Sequence, residues 1–159
     1  VCSSDLLMTS GSTLSNLTAL WAARERAGIR RVVASTSAHI SIAKSANLLG
    51  LELYEIPSSQ SGVLDIDLLP KSLDDAALVL TAGTTGTGVI DPLRSAPKAA
   101  WTHVDAAWAG PLQFTQYSGR LAGIEQADSV SVSAHKLLFQ PKELALVMFR
   151  EADASMEAI

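Results

Sequence analysis

The sequence is poor in the residues on which disulfide-bonded, zinc-clustered or nucleic-acid-binding proteins depend. Among 159 residues there is a single cysteine, Cys2, which excludes an internal disulfide framework and a cysteine-based zinc cluster. Acidic residues outnumber basic ones by 16 to 12, and the net charge is −4. That balance argues against nucleic acid or an anionic membrane surface as a main partner.

Long apolar runs are also missing. No stretch reaches the roughly 18 residues that a membrane-spanning helix needs. No basic segment followed by an apolar block opens the sequence, so we expect a cytoplasmic protein without a membrane partner. With 48% hydrophobic and 18% charged residues, the composition is typical of a globular domain that can bury a core.

Both ends of the sequence read as cuts in a longer chain. Residues 1–6 resemble translated adapter sequence, and residues 151–159 are helix-like up to the last position. We expect residues 1–159 to be part of one large domain, with residues 1–6 not native.

Apolar, β-branched stretches alternate with stretches of helical spacing. This alternation predicts an α/β fold with a mostly parallel sheet and helices on both faces. Residues 65–73 are predicted to hold a short helix capped by Asp65, although Pro70 disfavours it. The predicted strands are 6–9, 31–35, 51–56, 77–82, 101–104, 129–133 and 144–149, and the main helices are 14–27 and 40–49.

Polar residues follow several of these strands, where open α/β sheets bind ligands. Ser12 and Thr13 open a helix behind Gly11, which favours either an anion site or an ordinary helix cap. His39 starts the next helix and could serve simply as its cap. Residues 83–88 form a glycine- and threonine-rich loop that lacks the lysine of a nucleotide-binding P-loop.

Two ionisable residues give sharper signals. Asp105 ends a very apolar strand, where a carboxylate is costly unless a cation pairs with it or it caps the following turn. Lys136 follows the strand 129–133 and stands beside His135. A partly desolvated lysine becomes nucleophilic, whereas a lone His-Lys pair on the surface would be inert.

Taken together, five ordered motifs resemble the pyridoxal-dependent (group II) amino-acid decarboxylases, over the stretch from about Leu7 to Arg150. The motifs are Thr9-Ser10-Gly11-Ser12-Thr13-Leu14-Ser15-Asn16, His39, Thr81-Ala82-Gly83-Thr84-Thr85-Gly86-Thr87-Gly88, His103-Val104-Asp105-Ala106-Ala107-Trp108 and Ser133-Ala134-His135-Lys136.

The resemblance implies a fold type I large domain that holds pyridoxal 5'-phosphate (PLP), and an enzyme that releases carbon dioxide from an amino acid. It also implies a homodimer, and a longer protein that has an N-terminal segment before this domain and a C-terminal small domain after it. Lys136 would form the Schiff base, Asp105 would hold the pyridine nitrogen protonated and His39 would stack on the ring. The remaining implied cofactor contacts are Ser12 and Thr13 at the phosphate, Thr84 near the phenolic oxygen, Ala107 under the ring and His135 beside the lysine.

Two positions depart from the family pattern, and three other readings stay open. Ser133-Ala134 replaces the common Asn-Pro or Asp-Pro, and Leu137 stands where tryptophan is frequent.

The alternatives are an aminotransferase, lyase or aldolase of the same fold, a metal-dependent hydrolase using His103, Asp105 and His135, and a non-catalytic binding module. A decarboxylase is favoured because the His135-Lys136 pair followed by Leu137-Leu138-Phe139-Gln140-Pro141-Lys142 resembles the decarboxylases most closely.

Overall fold

The computed structural model describes residues 6–159, apart from the side chains of Ala152, Asp153 and Met156. The expectation that residues 1–6 are not native therefore lies, except for Leu6, outside the described residues. Within the described part, no helix combines the length and the apolar character needed to cross a membrane.

Seven strands form one sheet in the order β1-β7-β6-β5-β4-β2-β3. The five strands from β3 to β6 in this order are parallel to one another, and β7 is antiparallel to both β6 and β1. The mostly parallel sheet predicted from the sequence is confirmed. The strands are β1 Leu6–Ser10, β2 Arg31–Ser35, β3 Glu52–Ile56, β4 Ala76–Thr81, β5 Trp101–Asp105, β6 Ser129–Ser133 and β7 Leu144–Phe149.

Three α-helices accompany the sheet: α1 Ser12–Ala27, α2 Ile40–Leu48 and α3 Ala152–Glu157. Helix α1 ends at Gly28, whose positive φ of 61° lets its N–H bond the carbonyl of Arg24. This left-handed ending is one that glycine adopts at low cost. The sequence placed the ends of α1 and α2 within two residues of these bounds.

One face of the sheet packs against α1 and α2. The side chains of Ala19, Leu20 and Ala23 from α1 and Ile42 from α2 are buried there against alternate strand residues such as Val32. Side chains at every second strand position point to the same face, so this set and the set on the other face belong to two separate cores.

The opposite face is covered by short 3₁₀ segments rather than by α-helices. Leu64, Leu73, Leu93 and Leu121 pack there against strand residues such as Leu78. Helical turns therefore lie on both faces, but of different kinds. The 3₁₀ segments are Ile66–Leu68, Leu93–Ser95, Gly110–Phe114, Ser118–Leu121 and Ile124–Gln126.

The predicted helix over residues 65–73 is wrong in extent. Only Ile66–Leu68 is helical, as a single 3₁₀ turn, although Asp65 caps it as expected by accepting the Asp67 N–H at 3.1 Å. Leu69 is extended, with ψ 148°, because the ring of Pro70 disfavours a helical conformation in the residue before it.

Candidate active site

A small cleft opens at the carboxyl edge of the sheet, where β2, β4, β5 and β6 end. Because β1 runs in the same direction as these strands, the start of α1 meets the same edge. Five of the eight predicted site residues lie on its wall. The wall residues are Ser12, His39, Thr81, Gly83, Thr85, Asp105, Ala107 and Lys136.

Asp105 ends β5 and is only 4% exposed. Its Oδ2 accepts a hydrogen bond from the amide nitrogen of Asn16 at 2.8 Å, and its Oδ1 accepts one from the Ala107 N–H at 3.1 Å. The Ser131 hydroxyl lies 3.4 Å from the same Oδ1. All these donors are neutral, so the carboxylate is held in place without a cationic partner among them.

His39 lies at the start of α2, as its N-cap. Its Nδ1 accepts the backbone N–H of Ser41 at 3.2 Å and lies 2.8 Å from the Ser41 hydroxyl oxygen. The cap anchors one edge of the imidazole ring, and the residue as a whole lines the cleft. His39 can therefore cap α2 and contribute to the cleft at the same time.

The start of α1 presents backbone N–H groups without a side-chain cap. Gly11 precedes the helix with φ 91°, a conformation that favours glycine, and no side chain bonds the first-turn amides. Ser133 donates its hydroxyl to Ser12 Oγ at 2.8 Å, which joins the ends of β6 and β1. Uncapped amides at a helix start attract anions.

Lys136 lies in the turn that follows β6. Its backbone N–H bonds the Ser133 carbonyl at 3.4 Å, and its side chain is half-buried on the cleft wall. Among residues 6–159, no carboxylate forms an ion pair with its ammonium group. A lysine and an aspartate therefore share one cleft without neutralising each other.

A family model described as the pyridoxal-dependent decarboxylase conserved domain matches residues 2–159. The chain belongs to the pyridoxal-dependent decarboxylase family.

Named relatives of this family show the same likeness. The chain is 38% identical over 164 residues to the L-2,4-diaminobutyrate decarboxylase of Rhizobium meliloti strain 1021, covering 90% of this chain and 33% of the relative. It is 32% identical over 185 residues to the aspartate 1-decarboxylase of Aliivibrio fischeri, covering 91% of this chain and 34% of the relative. The chain thus spans about a third of the length of these curated relatives.

A solved structure agrees with the fold. The glutamate decarboxylase domain of the diaminobutyrate-pyruvate transaminase and L-2,4-diaminobutyrate decarboxylase from Vibrio parahaemolyticus superposes with a TM-score of 0.82 at 28% identity. The match covers 97% of this chain and 41% of that chain. The fold type I large domain expected of a pyridoxal-dependent decarboxylase is confirmed.

Three predicted site residues of this family member are neighbours of wall residues rather than part of the wall. Thr13 is exposed in the first turn of α1, next to Ser12. Thr84 is buried, and its hydroxyl lies 2.9 Å from that of Thr87. His135 has a buried Nδ1 with no hydrogen-bond partner among the described residues. Their predicted cofactor contacts stay predictions.

The metal-hydrolase alternative has little structural support. His103 is fully buried, with Nδ1 2.9 Å from the Ser129 hydroxyl and Nε2 3.0 Å from Asn16 Oδ1. Both ring nitrogens are therefore occupied. Within residues 6–159, no group of three or more His, Cys, Asp or Glu side chains is placed to hold a metal ion.

The sequence analysis missed the buried polar residues that lie between Asp105 and the core, away from the cleft. Asn16, Ser41, Ser129 and Ser131 are all buried and were given no role, although Asn16 stands inside the first quoted motif. The available signal was an asparagine one turn before Leu20, on the stripe of α1 that faces the core. A buried polar side chain of that kind needs partners.

Proposed function

We propose that the full-length protein is a PLP-dependent decarboxylase that releases carbon dioxide from an L-amino acid, with Lys136 as the Schiff-base lysine. The observation that carries the proposal is the shared cleft. Lys136 and Asp105 lie on its wall together with His39 and Ala107, as one flat cationic heterocycle would require.

The residues present fit such a cofactor. The Asp105 carboxylate has only neutral donors within the fold, so a protonated ring nitrogen would give it a charged partner. The Thr81 hydroxyl on the wall is buried without a hydrogen-bond partner among the described residues, as is His135 Nδ1. A bound oxygen-rich group would supply partners for orphaned polar atoms of this kind.

Each proposed contact follows from a place in the fold. The first-turn amides of α1 and the Ser12 hydroxyl would hold the phosphate, with Thr13 beside them. Asp105 would bind the pyridine nitrogen, and His39 and the small Ala107 would enclose the ring. Thr84 and His135 would contact the cofactor from the turns next to the wall.

PLP supplies an electron sink for the pair of electrons that departing carbon dioxide leaves behind. The side chains of the protein would orient the substrate and would hold or transfer protons. Asp105 would favour a protonated ring nitrogen by its negative charge. Lys136 Nζ would serve as the group that carries a proton to the substrate carbon. Orientation of the substrate selects which bond breaks.

We propose a small amino acid with a charged side chain as the substrate. The matched relatives carry names for the decarboxylation of L-2,4-diaminobutyrate and aspartate, and both are amino acids of that class. We further propose a cytoplasmic homodimer. An apolar groove that includes Val130, Leu146 and Met148 supports a second copy at this face, since exposed apolar patches mark association surfaces.

The deciding experiment compares Lys136→Ala with Lys142→Ala in the full-length protein. Lys142 is an exposed lysine six positions away and serves as the matched control. We expect Lys136→Ala to abolish borohydride-stable labelling by PLP and to lower carbon dioxide release at least about 10³-fold, because both the covalent attachment and the proton transfer are lost. Lys142→Ala should behave as wild type.

Retained covalent labelling in Lys136→Ala would overturn the assignment of the lysine. The aminotransferase reading is separated by the product. Across a panel of amino acids, labelled carbon dioxide supports a decarboxylase, whereas an oxo acid without carbon dioxide supports an aminotransferase. Labelling without any turnover would support the non-catalytic binding module.

A further inference from the structure

A chain of buried hydrogen bonds runs behind the cleft, under α1. The indole N–H of Trp101 donates to Ser129 Oγ at 2.9 Å, and Ser129 Oγ lies 2.9 Å from Nδ1 of His103. On the other side of the ring, His103 Nε2 lies 3.0 Å from Asn16 Oδ1. All four side chains are at most 5% exposed, so water cannot substitute for these contacts.

Asn16 divides this chain into two arms. Its amide nitrogen donates to Asp105 Oδ2 at 2.8 Å and to Ser41 Oγ at 2.9 Å. The Ser41 hydroxyl in turn lies 2.8 Å from Nδ1 of His39. One arm thus ends at Asp105 and the other at His39, and both residues line the cleft.

The chemistry of the two ends fixes the direction of every bond between them. An indole nitrogen can only donate, and an ionised carboxylate can only accept. Asn16 must therefore present its NH₂ group to Asp105 and its oxygen to His103. His103 then carries its proton on Nε2, and Ser129 donates to its Nδ1.

The His39 arm has the same direction. The Ser41 backbone N–H donates to His39 Nδ1 at 3.2 Å, so that nitrogen must be an acceptor. The Ser41 hydroxyl oxygen accepts a hydrogen bond from the Asn16 NH₂ group, and the hydroxyl can donate its own hydrogen to the same Nδ1. His39 is therefore held with its proton on Nε2, and not on the nitrogen that faces the helix.

We propose that Asn16 is a positioning residue, the branch point of a one-way buried hydrogen-bond chain from Trp101. It orients Asp105 directly, and through the Ser41 hydroxyl it reinforces the Nε2–H tautomer of His39 that the Ser41 backbone N–H also favours. It acts through these two residues and does not line the cleft itself. The buried Ser131 hydroxyl, which donates to Asn16 Oδ1 at 2.7 Å, holds the amide in the same orientation.

The electrostatic surroundings agree with this geometry. Burial lowers the pKa of His103 to about 4, although the Asp105 charge and an interaction with the backbone of Ser129 oppose part of that shift. A neutral His103 has one donor and one acceptor nitrogen. The buried hydrogen-bond chain needs both, because Nε2 donates to Asn16 and Nδ1 accepts from Ser129. The part of the proposal that concerns cofactor binding rests on the proposed function, whereas the tautomers do not.

The first test needs no cofactor. Nitrogen-15 NMR of the full-length apo protein, recorded where the histidine rings are neutral, should show the ring proton of His39 and of His103 on Nε2 rather than on Nδ1. Ser41→Ala removes the hydroxyl of one arm but keeps the backbone N–H that donates to His39 Nδ1. The tautomer of His39 should therefore persist and its Nδ1 signal should shift as one donor is lost, while the His103 signals stay unchanged. A wild-type His39 or His103 with its proton on Nδ1 would overturn the proposal, whether or not any variant folds.

The second test uses the holoenzyme. Asn16→Leu keeps the volume but removes both arms, and Asn47→Leu, at an exposed asparagine of α2, is the matched control. We expect Asn16→Leu to weaken PLP binding about 10- to 100-fold, as expected for a lost hydrogen bond to a charged group. The pH midpoint of the bound cofactor's visible absorbance should also move, whereas Asn47→Leu should leave both unchanged.

The two tests separate the possible failures. If wild type has the expected tautomers but never binds PLP, the proposed function fails and the hydrogen-bond chain stands. If Asn16→Leu folds, binds PLP as wild type does and keeps the pH midpoint, Asn16 does not act through Asp105 and the proposal fails. If Asn16→Leu does not fold, the wild-type and Ser41→Ala spectra decide.

Discussion

Two buried aspartates stand near the carboxyl ends of neighbouring strands, and they differ in their partners. Asp91 is 2% exposed, and its two oxygens accept backbone N–H groups from Leu64 at 2.8 Å and Thr81 at 2.7 Å. Asp105 is 4% exposed, and it accepts from the side chain of Asn16 and the backbone of Ala107. Only Asp105 lines the cleft.

The comparison shows that burial of a carboxylate does not by itself mark a functional site. Burial raises the pKa of Asp91, although its hydrogen bonds from Leu64 and Thr81 oppose the shift, and a raised pKa often indicates a catalytic acid. Both Asp91 oxygens tie residue 64 and the end of β4 together. Both Asp105 oxygens are hydrogen-bonded as well, and the feature that distinguishes Asp105 is its place on the wall of the cleft.

The largest effect should come from Asp105→Asn in the full-length enzyme. The amide keeps the shape but loses the negative charge that would hold a proton on the ring nitrogen of PLP. We expect kcat for carbon dioxide release to fall about 10³-fold, the usual scale for losing one preorganised electrostatic contact. Steady-state kinetics with the saturated cofactor measures this.

The free energy of unfolding of the Asp105→Asn apoprotein should fall by no more than about 1–2 kcal/mol. The new amide nitrogen faces one of the two donors that the carboxylate accepted, but removal of the buried charge relieves a desolvation cost. The exposed Asp67, changed in the same way, is the control for kinetics and stability. If Asp105→Asn kept wild-type kcat, Asp105 would have no role in catalysis and would be a structural carboxylate like Asp91.

Much of the site could be predicted from the sequence, because one rule of topology brings it together. In a parallel sheet the residues that follow each strand meet at one edge, so Ser12, His39, Asp105 and Lys136 converge although they are far apart in sequence. Local chemistry then selected Asp105 and Lys136. This reasoning required neither strand order nor side-chain geometry.

The hydrogen-bond chain behind the site could not be predicted in this way. Whether Asn16 and His103 are paired depends on how α1 sits over β5 and β6, which is a matter of packing between elements rather than of any local pattern. The same limit applies to the fold. Periodicity predicted the strands, but not the antiparallel placement of β7 beside β6, nor the 3₁₀ segments that replace α-helices over Leu78.

A second prediction concerns the pH dependence of stability through His103. Its pKa falls from 6.5 to about 4 in the folded protein, chiefly by burial. The unfolded chain therefore takes up a proton between pH 6.5 and 4 and the folded chain does not. Stability contributed by His103 is complete above pH 6.5 and is lost as the pH falls toward 4, by about 3 kcal/mol.

This can be measured by urea unfolding of the full-length apoprotein and its His103→Gln variant across that range. Glutamine can donate and accept in similar places but does not titrate. We expect the free energy of unfolding of wild type, relative to the variant, to rise between pH 4 and 6.5. A flat difference would show that His103 is not buried in the neutral state.

Asp91 should give a smaller effect, with the opposite dependence on pH. In Asp91→Asn, the amide oxygen can accept only one of the two backbone N–H groups, and the other is left facing a donor. We expect the free energy of unfolding at neutral pH to fall by about 1–2 kcal/mol, with little change in kcat, since Asp91 does not line the cleft. Asp67→Asn again provides the exposed control.

The pH dependence distinguishes Asp91 from an ordinary surface carboxylate. Because its pKa in the folded protein lies above the unfolded value of 3.8, the folded state binds the proton more tightly. The advantage of wild type over Asp91→Asn is therefore largest below pH 3.8 and shrinks as the pH rises through the raised pKa. If that advantage grew with pH instead, the backbone hydrogen bonds would outweigh burial, and Asp91 would be a stabilised anion.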